Sequence, residues 1–134
     1  MLSPIINFNE IKLKEQFLNS VPMGIAILNP DFDVIYANEA FEKMFGPWKN
    51  QKCYSVYKKR ESVCSKCAAN EVFKDGRART NVDLEIIKEG HNIHYIKHII
   101  PLLDEDGTIP LLVEIWTDIT QTDRIRKEHK ILSD

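Results

Sequence analysis

The chain has 134 residues, 43% hydrophobic and 28% charged, with 18 basic and 20 acidic side chains and a formal net charge of −2. At about 150 residues per domain this is one globular domain, and its composition excludes a disordered chain. The near-neutral balance argues against a nucleic-acid surface, the short apolar runs exclude a membrane-spanning segment, and an odd total of three cysteines excludes a disulfide scaffold. The opening Met1-Leu-Ser-Pro-Ile-Ile-Asn has no basic leader or long apolar stretch, so the expected location is the cytoplasm.

Asn9 to Val21 carries apolar residues at Ile11, Leu13, Phe17, Leu18 and Val21, a loose helical stripe ended by Val21-Pro22. Gly24 to Leu28 and Val34 to Ala37 read as two strands of a hairpin, joined by the turn formers Asn29-Pro30-Asp31. Asn38 caps a helix with Phe41 and Phe45 on one face, and Gly46-Pro47 stops it, with Gly46 expected in a left-handed C′ position. Pro47 to Ser65 reads as irregular, and Lys66 to Lys74 as a short helix closed by Asp75-Gly76. Val82 to Ile86, His94 to Leu102 and Leu111 to Thr117 read as strands, separated by Glu89-Gly90 and by the loop Asp104-Glu105-Asp106-Gly107. Thr120-x-x-Asp123 resembles a capping box that opens a charged C-terminal helix. The order implies an α+β fold with a five-stranded antiparallel sheet and helices on one face.

The chain resembles a PAS sensor domain. The resemblance rests on Phe17-Leu-Asn-Ser-Val-Pro-Met-Gly-Ile-Ala-Ile-Leu-Asn29, Val34-Ile-Tyr-Ala-Asn-Glu-Ala-Phe41, the hairpin Pro101 to Gly107, and Asp118-Ile119-Thr120. It divides the chain into an N-terminal helical extension (1–16), a PAS domain (17–120) and the start of a signalling helix (121–134). It implies a sensory input domain that binds a small molecule or cofactor and signals through Asp118-Ile119-Thr120 and the C-terminal helix. The receiver would be an output domain, such as a histidine kinase or a cyclase, outside this sequence. The alternative it implies is a ligand-free dimerisation module that sets output geometry. A homodimer is expected in either case. No nucleophile–base pair is visible, and Asp104, Glu105 and Asp106 read as solvated turn residues, so no enzyme is expected within the chain.

The expected pocket residues are Ile25, Ile27, Tyr36, Phe41, Phe45, Leu84 and Ile86. Along His94 to Leu102, residues 94, 96, 98, 100 and 102 share one face, and Tyr95, Lys97 and Ile99 share the other. If the first face looks inward, His98 is a buried imidazole able to touch a ligand. Trp116 lies on the face of Glu114 and is expected on the outer sheet surface or at a dimer interface. Ile125 and Leu132 stand seven apart, as in a short coiled-coil seam.

Cys53, Cys64 and Cys67 form a C-x-x-C plus one. They resemble a cysteine-bearing PAS subgroup of bacterial signalling proteins. Their chemistry stays open between a metal or cluster site, a redox or disulfide pair, and structural thiols. A metal would want a fourth ligand, for which His91, His94 and His98 are the available histidines. The stretch Lys52-Cys53-Tyr54-Ser55-Val56-Tyr57 lacks the Asn, Arg and Gln of the flavin-binding motif, and Lys66 to Lys74 lacks a haem-ligating histidine. Flavin and haem are therefore not expected, and the cofactor is left as a metal, a small metabolite or unknown.

Overall fold

The computed structural model describes residues 8–56 and 68–120. Its elements are α1 (Phe8–Ser20), β1 (Gly24–Leu28), β2 (Val34–Ala37), α2 (Glu39–Phe45), α3 (Cys53–Val56), α4 (Ala68–Asp75), β3 (Arg79–Lys88), β4 (His91–Leu102) and β5 (Leu111–Asp118). All five strands pair antiparallel in the order β2-β1-β5-β4-β3. The expected α+β sheet is therefore present. The differences are local. The stretch after Pro47 contains the one-turn α3, and β3 and β4 each start three residues early because their pairing runs on to Arg79↔Ile99 and Lys88↔His91.

The β1–β2 turn is built by Asn29. Its side-chain oxygen accepts from the amides of Asp31 and Asp33, and the Phe32 amide donates to the Asn29 carbonyl. Phe32 sits at φ 67, a region that costs a bulky residue free energy. Its ring lies 6.0 Å from Phe73 of α4, and its carbonyl accepts from the Cys53 amide that opens α3. Packing thus holds the strained turn residue and ties both short helices to the hairpin.

Asn38 is the hub for the N-terminal half and is 1% exposed. Its side-chain oxygen accepts from the amides of Phe41 and Ile25, the first bond capping α2 and the second anchoring β1. Its side-chain nitrogen donates to the carbonyls of Leu18 and Met23. At the far end of α2, Gly46 has φ 93 and ψ −165. That is a glycine-only conformation but not the expected left-handed helical one, because the chain leaves extended rather than turning back. Gly24 is needed for space: a Cβ there would stand 2.9 Å from Met44 Sδ and 3.2 Å from Phe41 Cα. α2 is thereby pressed onto β1.

The strands alternate between two faces. The inner face buries Ala26, Leu28, Val34, Ala37, Tyr95, Lys97, Ile99, Leu112, Glu114 and Trp116. Phe41, Phe45, Cys53, Val56, Ala69 and Val72 of the three short helices complete the same core. α1 does not join it: Leu13 and Phe17 are both 67% exposed.

Candidate functional site: a buried ion pair beside an aromatic cluster

The inner face carries two charges where an apolar core would carry none. Lys97 lies opposite Trp116 across the β4–β5 ladder, and Ile99 lies opposite Glu114. Lys97 and Glu114 are therefore diagonal neighbours on one face, within reach of each other. Lys97 Nζ stands 2.9 Å from Glu114 Oε2, with the side chains 5% and 0% exposed. The same ammonium lies 4.7 Å from the centroid of the Trp116 ring, an additional attraction from the ring's negative face. The ion pair is close but not aligned as a hydrogen bond, and neither Glu114 carboxylate oxygen accepts one from a described residue. Burying such a pair costs several kcal/mol per ion, which mutual attraction repays only when the other lone pairs are also satisfied. Buried acceptors in this condition mark a place for a water, an ion or a ligand.

The Trp116 ring that the ammonium faces belongs to an aromatic cluster. Phe45 lies 4.9 Å from Phe41, 4.8 Å from Trp116 and 5.6 Å from Tyr95 by ring centroids, and Tyr95 meets Trp116 edge-on at 5.6 Å. Burial, with the Asp118 carboxylate as a lesser contribution, pushes the Tyr95 phenol up to about 12.

The expected pocket residues divide between the two faces. Phe41 and Phe45 are core, and Leu84 and Ile86 pack half-buried against it. Ile27 pairs with Tyr36 and Val113 on the opposite, outer face, and Ile25 pairs with Ile115 there. The Tyr36 ring lies 6.2 Å from Trp48. His98 also faces outward, with Nδ1 3.0 Å from the exposed Thr80 hydroxyl. The inward face of β4 is the one with Tyr95, Lys97 and Ile99, so His98 is no buried ligand-facing imidazole. Trp116 is likewise corrected: it is 0% exposed in the core, not on the outer surface. Both corrections share a cause. Lys97 and Glu114 look like solvent-facing charges in the sequence, and only their mutual compensation turns that face inward.

Cys53 is buried at the start of α3. Cys64 and Cys67 lie outside the described residues, as do the expected helix after Thr120 and its Ile125–Leu132 seam. Among the described residues no group of three or more His, Cys, Asp and Glu side chains comes together to hold a metal ion.

Asp118-Ile119-Thr120 closes onto β4. The Ile119 amide donates to the His94 carbonyl at 2.8 Å, and the His94 amide donates to the Thr120 hydroxyl at 3.0 Å. The Thr120 amide donates to Asp118 Oδ1 at 2.9 Å. His94 and Lys97 share a strand, and Trp116 and Asp118 share its neighbour. The site and the chain exit are thus parts of one ladder.

A five-stranded antiparallel sheet with short helices over one face, and a terminal segment hydrogen-bonded to its fourth strand, defines a small α+β sensor architecture. The PAS domain family model matches residues 22–121, and the chain belongs to that family of sensory signalling domains. Solved structures agree. An RNA-binding light-oxygen-voltage receptor superposes with TM-score 0.69 at 18% identity, over 100% of this chain and 40% of its own. The PAS domain of nitrogen regulation protein NR(II) from Vibrio parahaemolyticus gives 0.60 at 20% identity, over 80% of this chain and 98% of its own. VqmA bound to DPO gives 0.58 at 19% identity, over 84% of this chain and 57% of its own. At these identities the likeness is one of fold. This chain spans two fifths of the receptor's length. No curated protein sequence matches the chain. No described helix is long and apolar enough to cross a membrane.

Proposed function

We propose that this PAS domain senses a small molecule held in its core against Lys97 and Glu114. The observation that supports this most is the buried Glu114 carboxylate, which is ion-paired on one side yet accepts no hydrogen bond from a described residue. A buried acceptor of this kind is completed by a donor, which a guest can bring. A related fold, VqmA, is bound to DPO. Occupancy would shift β4 against β5, and the bonds between His94 and Asp118-Ile119-Thr120 would carry the shift to whatever follows residue 120. In this reading residues 17–120 form the sensory module, 1–16 precede it, and 121–134 lead to an output domain of a cytoplasmic signalling protein, such as a kinase or cyclase.

The test is a backbone amide NMR spectrum of the full chain against a library of small metabolites. The reading expects at least one compound to shift Lys97, Glu114 and His94 together. Shifts confined to the outer face, or none, overturn it.

A second reading, pairing of two copies, draws on Leu13 and Phe17 of α1, two large apolar side chains left 67% exposed. Sedimentation of the chain and of a Leu13→Ser/Phe17→Ser variant tests it. A dimer that the substitutions dissociate supports the pairing, and a monomeric parent contradicts it.

A further inference from the structure

We infer that a groove at the β2 margin of the sheet binds the ring of a neutral saccharide. The groove is separate from the core, and the inference does not rest on the core reading.

Its lining comes from two walls. Asn29, Asp33 and Ile35 belong to the β1–β2 turn and β2, and Trp48, Lys49 and Asn50 to the loop between α2 and α3. Its volume is about 680 Å³, within the roughly 300–1,000 Å³ usual for small-molecule sites. β2 is the outermost strand, separated from β5 and β4, which carry Glu114 and Lys97, by β1. The walls are tied to each other. The Val34 amide donates to the Gln51 carbonyl at 3.0 Å, the Cys53 amide to the Phe32 carbonyl at 2.8 Å, and Lys52 Nζ meets Asp33 Oδ1 at 2.7 Å. The groove is thus formed without a guest, and little ordering is left to binding.

Three features select the guest. First, the polar lining mixes acceptors with donors. Lys52, then Asn29, hold the Asp33 carboxyl below its ordinary value, and each bonds one of its oxygens. A carboxylate has about four acceptor positions, so Asp33 can take further donors. The exposed Lys49 and Asn50 supply donors on the other wall. A hydroxyl donates and accepts at one atom, so a ring bearing several of them answers both walls. Second, the charges oppose an ionic guest of either sign: Asp33 repels an anion, and Lys52 with Lys49 repels a cation. Third, Trp48 is half-buried and braced by Tyr36 at 6.2 Å, and Ile35 is 46% exposed in the same groove. A fixed indole with an aliphatic neighbour takes the C–H face of a pyranose.

The full chain is titrated with the methyl glycosides of glucose, galactose and mannose and with the charged counterparts glucuronate and glucosamine, followed by amide NMR. At least one neutral glycoside is expected to shift Ile35, Trp48 and Asn50 saturably, more tightly than either charged sugar, and to leave Lys97 and Glu114 in place. Asn50→Gly removes the amide side chain at a position with φ 59, which glycine adopts freely, so the fold is kept. It is expected to weaken binding about 3- to 10-fold, the worth of one hydrogen bond. Trp48→Ala is expected to weaken it by about tenfold or more through loss of the stacking face. No saturable shift with any neutral glycoside, shifts confined to Lys97 and Glu114, or a charged sugar bound as tightly overturns the inference. Unchanged affinity in Asn50→Gly overturns it too, and that variant decides the matter even where Trp48→Ala, which also strips a ring packed against the core, does not fold.

Discussion

The amide of Ile119 donates to the carbonyl of His94 at 2.8 Å, three residues along β4 from Lys97. The chain therefore leaves the domain pinned to the strand that carries the buried ammonium. Thr120 closes the same clamp by accepting from the His94 amide.

Thr120→Val removes that acceptor while keeping the side-chain shape. It is expected to lower stability by about 1 kcal/mol, the net worth of one partly buried hydrogen bond. Amide exchange should accelerate at His94 and Ile119 and stay unchanged at Leu28, in the far half of the sheet. Uniform acceleration would mean global destabilisation rather than release of the clamp.

Asn38→Ala is expected to be the most damaging single change in the N-terminal half. It removes the α2 cap and the side-chain partners of Ile25, Leu18 and Met23 at once. The expected loss is about 2–4 kcal/mol, from one cap and several part-buried groups left unmatched. Asn38→Asp keeps the acceptor oxygens and loses the donors to Leu18 and Met23, so it should fall between the parent and the alanine variant. Chemical denaturation of the three proteins checks the order.

The Tyr95 phenol gives the fold a basic limit. Its ionisation is pushed from 10.0 to about 12 in the folded chain. Between those values the unfolded chain releases the proton and the folded chain keeps it, so stability falls as pH rises through that window and is fully present below it. Tyr95→Phe is expected to flatten this part of the stability–pH curve. An unchanged slope would assign the loss to other groups.

Asp75 sets the opposite limit. The Arg79 side chain, then the Arg77 amide, hold its carboxylate down at about 2. Its folded value lies below the ordinary 3.8, so its contribution is present above that value and is lost as pH falls toward 2. The pair is exposed and the effect small, so Asp75→Asn should narrow the acid limb only slightly, in a salt-dependent way.

Much of this architecture is legible in the sequence because local signals agree with the tertiary result. Asn38, Gly46-Pro47, Asn29-Pro30-Asp31 and Glu89-Gly90 punctuate the chain, and alternation gives the strands. The site is the least legible part. Lys97 and Glu114 carry the ordinary signal of solvent-facing residues, and only strand register brings one diagonally to the other. His98 and Tyr36 look like the polar groups of a pocket, yet both lie on the outer face. A signal was available in Trp116, which shares its strand face with Glu114 and is far more often buried than exposed. Placing that face inward draws Lys97 with it. Cys53 is placed in the core, while Cys64 and Cys67 lie outside the described residues.

The buried pair predicts a thermodynamic signature of its own. Lys97→Met alone or Glu114→Leu alone leaves an uncompensated buried charge and is expected to cost about 3–5 kcal/mol, whereas the double variant should lie near the parent or above it. A double-mutant cycle by chemical denaturation measures this. Additive losses would show that the two side chains do not act as a pair.

Occupancy of the core is expected to alter the exit clamp. Amide hydrogen exchange at Ile119, with and without a compound that shifts Lys97 and Glu114, tests it most directly. Binding is expected to change exchange at Ile119 and His94 by about tenfold or more, a difference of roughly 1.4 kcal/mol between two states of the clamp. The change is expected to be absent in the Lys97→Met/Glu114→Leu variant. A compound that fills the core and leaves Ile119 exchange untouched would contradict it.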